Sequence, residues 1–417
     1  MTRKAAEIPP VAPRAGLVFA VSFALLLSDY MSRQVLSAVF PLLKAEWALS
    51  DARLGALGGV VALMVGLLTV PLSLVADAIG RVRSVALMAV TWSIATLACA
   101  LCANYGQLLL ARLALGAGEA AYGSVGLAVV FTYFPKSLRA TITSAFMAGG
   151  LFGSFIGLAL GGAFAAQFGW RGAFGGMGLL GLVLTVAYVA VVRERAALEP
   201  GHVSDHSLRG MSAAAVARSL VGSWRTALVY VASGLQLFVL GALTAWLPSY
   251  LNRVDGFSPK ASAVAAACLL LASGVGMVAC GRFSDALSVR RPHLRPWVAA
   301  AYGVATFSCL QAALAFPPGA PQAVLALAGL FFAGGTTGPA GAMIAEAAPP
   351  ALHGAALAVL TLANNLLGLA PGPAVTGALA DRLGLHAALQ AAVCAALLAA
   401  ITFGLIARDP QPTTHGR

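Results

Sequence analysis

Long stretches without a formal charge constrain this chain more than any other feature of its sequence. Residues 296–345 contain no Asp, Glu, Lys or Arg, and "PPGAP" at 317–321 divides this run into two apolar segments. A membrane-spanning helix needs about 20 mostly apolar residues, and segments of that kind recur from end to end. Only 10% of the residues are charged, against about 25% in soluble domains. The sequence therefore predicts an all-α polytopic membrane protein.

The apolar segments predict twelve spans. They fall near residues 16–43, 54–76, 84–103, 107–134, 140–166, 171–192, 226–251, 260–281, 296–316, 322–345, 352–380 and 386–407. The loops on the side of both termini carry 18 Lys and Arg, and the opposite loops carry 6. Because basic residues concentrate in cytoplasmic loops, we expect a multi-pass protein of the bacterial inner membrane with both termini in the cytoplasm.

The two halves of the chain repeat weakly. "PLSLVADAIGRVRS" at 71–84 matches "CGRFSDALSVRRP" at 280–292, and two further pairs of segments match at nearly the same offset. We therefore predict a cytoplasmic N-terminal segment, a six-helix bundle, a cytoplasmic linker, a second six-helix bundle and a cytoplasmic tail, at residues 1–15, 16–192, 193–225, 226–407 and 408–417. Parallel repeats of this kind place a substrate site between the halves and permit alternating access.

Four ionisable residues lie well inside the spans: Asp29 and Arg33 in span 1, and Arg112 and Glu119 in span 4. An unpaired charge at the bilayer centre costs about 2.5–3.5 kcal/mol on insertion scales, so we expect these four to pair. One interpretation is a static ion-pair network that holds spans 1 and 4 together. The other is a cavity in which Glu119 is the main proton carrier, Asp29 assists it, and the two arginines modulate them or bind an anionic group.

Further polar residues are candidates for substrate binding, coupling or gating. The candidates for binding or coupling within spans are Tyr30, Ser32, Tyr122, Gln236, Asn364 and Asn365, for which hydrogen bonding between helices is an equally good explanation. The candidates for a cytoplasmic gate are Asp77, Arg81, Arg83, Arg139, Asp285 and Arg290, for which the alternative is loop solvation and topology.

Several classes of protein lack support in the sequence. No GxSxG, HExxH or P-loop motif occurs, so we predict neither an enzyme nor an ATP-driven pump. Cys99 and Cys102 lie within an apolar segment without a nearby His, and we expect free thiols, with no metal and no cofactor. The net charge of +12 arises between apolar segments, so we expect no nucleic-acid partner. The expected partners of this monomer are a small-molecule or lipid substrate, protons and membrane lipids.

Asp77, Gly80, Arg81 and Arg83, in the loop between spans 2 and 3, resemble the loop signature of the major facilitator superfamily. "GAGEAAYGSVGLAVVFTYFPKSLRATITSAFMAGGLFGSFIGLALGG" (116–162) and "GWRGAF" (169–174) are similar to the Spinster branch of that superfamily. That branch has Asn-Tyr-x-Asp-Arg in span 1, whereas this chain has Asp29-Tyr30-Met31-Ser32-Arg33, so its acidic residue lies three positions earlier.

The resemblance implies two pseudo-symmetric six-helix bundles and a coupling role for Glu119 and Arg112. It also implies a proton-coupled transporter of an amphipathic lipid-like solute such as a lysophospholipid or a sphingoid base. A transporter of a small organic anion or drug-like compound is the alternative within the same fold. An integral membrane enzyme acting on lipid is the alternative of another class.

Overall fold

The structure, a computed structural model, describes residues 14–135, 138–193, 222–349 and 352–408. Most of the predicted linker, and nearly all of the two predicted terminal segments, lie outside these residues. Within these ranges the regular structure is helical and contains no strand, which confirms the all-α class.

Fourteen α-helices, a short 3₁₀ turn at Pro292–Leu294 and one π-helical turn make up the regular structure of the described residues. The α-helices are α1 Ala15–Trp47, α2 Asp51–Ile79, α3 Arg81–Leu101, α4 Tyr105–Glu119, α5 Tyr122–Phe131, α6 Arg139–Val191, α7 Trp224–Arg253, α8 Pro259–Arg290, α9 Arg295–Ala315, α10 Ala320–Gly335, α11 Thr337–Ala347, α12 His353–Ala363, α13 Pro371–Leu383 and α14 Leu385–Arg408.

Among the described residues, eleven continuous helical segments are long and apolar enough to cross a membrane. The segment within α6 is two spans in one, because its backbone leaves helical geometry at Gly169, where φ is 68°. A positive φ is accessible to glycine at little cost, so this residue turns span 5 into span 6. With α6 counted as two spans, the described ranges contain the twelve spans that the sequence predicts.

Spans 4 and 10 are each interrupted at the same place in the two sequence repeats. In span 4, α4 ends at Glu119 and α5 begins at Tyr122; in span 10, α10 ends at Gly335 and α11 begins at Thr337. The interruption in span 10 follows from Pro339, which has no N–H to donate to the carbonyl four residues earlier. The interruption in span 4 lies in the glycine-rich stretch "GAGEAAYG", whose glycines weaken a helix.

Span 11 contains a π-helical turn between α12 and α13, at Asn364–Leu369. The amide of Ala370 donates to the carbonyl of Asn365 over 2.9 Å, which is the wider hydrogen bond of such a turn. Pro371 and Pro373 follow directly and cannot donate backbone hydrogen bonds. Turns of this type in α-helices often mark functional positions.

The described residues form two compact units that each combine separate stretches of chain. The first unit contains the residues up to Leu36 and those from Leu67 to the central gap. The second unit contains Ser37–Gly66 together with the described residues beyond that gap. The later part of α1 and the earlier part of α2 therefore pack with α7 to α14.

Candidate functional site

A buried ion pair joins span 1 to span 4 within the first unit. Nε and Nη2 of Arg33 donate to Oε2 of Glu119 over 3.0 and 2.7 Å. The side chain of Glu119 is fully buried, whereas that of Arg33 keeps 22% of its surface exposed. The second oxygen of Glu119, Oε1, is buried and has no hydrogen-bond partner among the described residues. The carboxylate of Glu119 is therefore enclosed by protein, whereas the side chain of Arg33 is partly exposed.

Asp29 lies one helical turn before Arg33 on α1 and interacts electrostatically with both members of the pair. Its residue surface is only 4% exposed, and its Oδ1 has no hydrogen-bond donor within the described part of the chain. Two carboxyl groups thus share one neighbouring guanidinium. The shifted aspartate of the sequence "DYMSR" consequently reaches the same cluster as Glu119.

Arg112 completes the four-charge cluster predicted from the sequence. It is 1% exposed, and its Nη1 and Nη2 donate to the backbone carbonyls of Ser32 and Arg33, each over 3.4 Å. It also interacts electrostatically with Glu119. Arg112 therefore stabilises the backbone of α1 at Arg33. With Arg112 included, the cluster has two carboxyl groups and two guanidinium groups.

The other sequence candidates in this unit lie around the cluster. The guanidinium of Arg33 lies 5.3 Å from the centre of the Tyr30 ring. Ser32 is fully buried on the same turn. Tyr122 is fully buried and donates to the carbonyl of Ser22 over 2.6 Å, so it ties α5 to α1. Of these three, Tyr30 alone is partly exposed.

The interruption of span 4 lies directly after Glu119 and is stabilised by a hydrogen bond from another helix. Thr69 of α2 donates its hydroxyl to the carbonyl of Ala120 over 2.7 Å. This bond satisfies a carbonyl beside the point where the helix is broken, as a membrane helix requires. Glu119 is the last residue of α4, directly before that carbonyl.

Three further candidates lie in the second unit. Gln236 of α7 is fully buried and donates to the hydroxyl of Thr306 over 3.1 Å and to the carbonyl of Ala333 over 3.3 Å. Asn364 accepts from Ser233 over 2.7 Å, and Asn365 donates to the carbonyl of Thr361 over 2.9 Å. These bonds support the interruptions of spans 10 and 11.

The residues predicted to form a cytoplasmic gate differ in their contacts. Asp77 accepts from Nε of Arg81 over 2.9 Å; the Asp77 side chain is exposed and that of Arg81 is partly exposed. Arg83 is exposed, and the guanidinium of Arg139 lies 5.4 Å from the ring of Phe131. The placement of the Arg290 side chain is outside what the structure describes.

In the second repeat the described partner of Asp285 is Arg295, at 4.0 Å. Arg295 also forms an ion pair with Glu346 and donates to Ser288 over 3.1 Å. Sequence analysis did not single out Arg295 because it counted this residue only as one of the four basic residues between spans 8 and 9.

Sequence analysis also missed a second cluster of charges, at the ends of α1, α2, α7 and α13. Its members are Lys44, Asp51, Arg253 and Asp381. All four lie in or beside loops on the side opposite the chain termini. An acid in loop 1–2 and another in loop 11–12, each beside basic residues, was the signal that could have revealed the cluster.

Apolar spans in two repeats, with a charge cluster buried in one of them, are an arrangement found among secondary transporters. Residues 22–370 match the family model of the Major Facilitator Superfamily, and the chain belongs to that superfamily.

Curated relatives match part of the chain. The probable L-galactonate transporter of Escherichia coli (strain K12) is 26% identical over 266 residues, which cover 62% of this chain and 58% of that protein. Protein spinster homolog 1 of Xenopus laevis is 26% identical over 246 residues, covering 58% of this chain and 46% of the relative. The matched region is thus less than two thirds of the length of either relative.

A solved structure matches nearly the whole chain. It is a bacterial homologue of the human lysosomal transporter Spinster, in an inward-facing and unoccupied conformation. The TM-score is 0.84 at 20% sequence identity, over 95% of this chain and 97% of the other. This similarity shows the fold. The resemblance stated from the sequence is confirmed by the family model and by the match to protein spinster homolog 1.

Proposed function

We propose that this superfamily member is a proton-coupled secondary active transporter that works by alternating access and moves an amphipathic, lipid-like solute. The observation that carries the proposal is the buried pair of Arg33 and Glu119, with Asp29 beside it. Charged side chains within spans are costly and mark ion and proton pathways. Two carboxyl groups that share one guanidinium can take up a proton without leaving that cation unpaired.

The geometry suggests how a proton would act. Glu119 accepts both hydrogen bonds of Arg33 on Oε2 and has no donor on Oε1. A proton arriving on Glu119 removes its negative charge and weakens its hold on Arg33, because charge-assisted hydrogen bonds are about twice as strong as neutral ones. Asp29, one turn away, can then act as the alternative partner of Arg33 or as a second proton carrier.

Arg33 is the residue that we propose to meet the solute. Its partly exposed guanidinium offers donors in a planar fork, which suits a phosphate or a carboxylate. The Tyr30 ring beside it adds an apolar surface. A lysophospholipid, with an anionic phosphate and an apolar chain, fits this pair of groups and agrees with the Spinster resemblance.

A small organic anion is the second candidate solute. It is favoured by the probable L-galactonate transporter among the relatives, because galactonate is a carboxylate. The same exposed guanidinium would bind it, without use of an apolar chain. Uptake of a lysophospholipid and of a sugar acid should therefore be compared in the same proteoliposomes.

The experiment that tests proton coupling is uptake by Glu119→Gln in proteoliposomes with an imposed pH gradient. We expect the variant to lose the response of uptake to the gradient, because the side-chain amide of Gln neither takes up nor releases a proton. Glu46→Gln is the matched control, since Glu46 is an exposed carboxylate at the end of the same helix α1. An undiminished response in Glu119→Gln, with full transport, would contradict the proposal.

The proposal includes the membrane and the state of assembly. We propose a monomer in the bacterial inner membrane. We further propose that both termini lie in the cytoplasm, on the basis of the 18 to 6 distribution of basic loop residues. Labelling of tags at the two termini in intact and in permeabilised cells tests this orientation. Labelling in intact cells would contradict it.

A further inference from the structure

Several glycines of span 5, the part of α6 before Gly169, lie against span 1. They are Gly149, Gly150, Gly153, Gly157 and Gly161. A glycine inside a helix makes that helix less stable than an alanine would, so each of these positions needs a reason in the packing. The atoms that an added methyl group would meet differ along the row, and this difference separates two roles.

Gly153 and Gly157 bring the backbones of the two spans together. A methyl group added to Gly153 would lie 2.7 Å from the carbonyl oxygen of Leu27, and one added to Gly157 would lie 2.5 Å from Cα of Met31. Backbone atoms cannot turn aside as a side chain can. These two glycines therefore set the distance between spans 1 and 5, as small residues do between membrane helices.

Gly150 meets the end of a single side chain instead. A methyl group added there would lie 2.9 Å from Cζ of Tyr30, and 3.1 and 3.3 Å from Cε2 and Cε1 of the same ring. The guanidinium of Arg33 lies 5.3 Å from the centre of this ring, and the phenol also interacts electrostatically with Asp29 and Glu119. The hydroxyl end of the ring thus has the backbone of span 5 as one neighbour and the charge cluster as another.

We propose that Gly150 is a positioning residue that makes the transporter prefer an anion with an apolar chain over the same anion without one. The absence of a side chain at residue 150 lets the Tyr30 ring lie beside the partly exposed Arg33, where the ring offers apolar surface next to the anion-binding group. A side chain at this position displaces the ring and removes that surface. The inference rests on the proposed function, in which Arg33 and Tyr30 meet the solute.

The ring, and not the helix, is the part that must give way in Gly150→Ala. The three atoms close to the added methyl group all belong to the far end of the Tyr30 side chain, and the χ2 torsion of a tyrosine has a broad energy minimum. The alanine itself suits a helix better than glycine does. We therefore expect the variant to fold with a displaced ring beside Arg33.

Solute binding to the full chain in lipid nanodiscs tests the inference, without uptake and without a pH gradient. The probes are lysophosphatidylglycerol and glycerophosphoglycerol, which carry the same phosphodiester with and without an acyl chain, and empty nanodiscs provide the background. In Gly150→Ala we expect the Kd of lysophosphatidylglycerol to rise about tenfold, because apolar contact is lost. The Kd of glycerophosphoglycerol should stay as in the parent.

Gly149→Ala is the matched control, one residue away on the same helix. Its methyl group would lie 3.0 Å from Cε2 of Phe23, an aromatic ring of span 1 two turns before Tyr30. Both Kd values should stay as in the parent. A double-mutant cycle adds the mechanism: in a Tyr30→Ala background, Gly150→Ala should change neither Kd, because no ring is left to displace.

Three results would overturn the inference. They are an equal rise in Kd for the two probes in Gly150→Ala, the same selective rise in Gly149→Ala, and an undiminished effect of Gly150→Ala in the Tyr30→Ala background. Should Gly150→Ala fail to fold, Tyr30→Ala alone must show the selective rise, and equal Kd changes for both probes would overturn the inference.

A failure of the proposed solute gives a different result. In that case the parent protein binds neither probe, and SDS titration of the same cycle tests the ring contact by itself. The loss in the free energy of unfolding caused by Gly150→Ala must then disappear in the Tyr30→Ala background, whereas additive losses would overturn the role of Gly150.

Discussion

The interruptions of spans 4 and 10 occupy corresponding places in the two repeats but contain different chemistry. At the first, Glu119 and the neighbouring carbonyl meet Arg33 and Thr69. At the second, Gln236 meets the carbonyl of Ala333 and the hydroxyl of Thr306. One interruption is stabilised by a charged pair and the other by neutral hydrogen bonds.

The threonine side chains near the two interruptions are more alike than the residues at the interruptions themselves. Thr96 and Thr306 lie 210 positions apart, and each donates to the carbonyl four residues before it, over 2.7 and 2.8 Å. In the first half the interrupted helix lies beside span 3, and in the second half it lies beside span 9. Among the described residues, Asp, Glu and Arg side chains lie at the break of the first half only, so the proposed proton coupling would depend on that half.

The largest expected effect comes from removing the cation at the charged interruption. Arg33→Gln leaves Glu119 buried without its partner, and we expect a loss of about 3 kcal/mol in the free energy of unfolding. Titration with SDS in mixed micelles measures this loss. The double variant Arg33→Gln/Glu119→Gln should recover much of it, because the unpaired Glu119 carboxylate is gone and the remaining Asp29 and Arg112 leave the cluster without net charge. Simple addition of the two single losses would contradict the pairing.

A smaller effect is expected at the neutral interruption. Gln236→Leu keeps the approximate volume and leaves the Ala333 carbonyl without its donor, which should cost about 1 kcal/mol by the same titration. The response of uptake to a pH gradient should equal that of the parent protein. A lost response would mean that the second half also takes part in coupling, and the contrast between the halves would fail.

The smallest effect is expected at the carbonyl beside Glu119. Thr69→Val removes the hydroxyl that bonds to Ala120, and we expect a cost of about 0.5 kcal/mol, the usual size of such bonds in membranes. Thr91→Val is the control, because the Thr91 hydroxyl bonds to Leu87 within its own helix on an exposed face. Equal losses in the two variants would show that the interruption needs no special support.

The sequence predicted the spans and the members of the buried cluster, but not which of these charged residues form an ion pair. Spacing along a helix shows that Asp29 and Arg33 share a face, whereas the observed pair is Arg33 with Glu119, 86 positions away. That choice depends on how α1 and α4 are rotated against each other. No pattern within a single helix contains this information.

Residues at the ends of helices were harder to interpret. Lys44 and Arg253 entered the sequence analysis only as basic loop residues, although both bond to Asp51. Their grouping depends on which loops meet in space, and the weak repeat does not align them. The same reason explains why Arg295, rather than a residue nearer in sequence, is the described partner of Asp285.

The cap that Asp381 forms on α2 determines which substitutions this contact tolerates. The carboxylate binds backbone amides at residues 51 and 52, and every amino acid except proline supplies such an amide. Substitutions at residue 52 therefore leave the contact intact. A substitution at residue 381, by contrast, removes both acceptors at once and leaves the first amides of α2 without their cap, although the two residues are 330 positions apart.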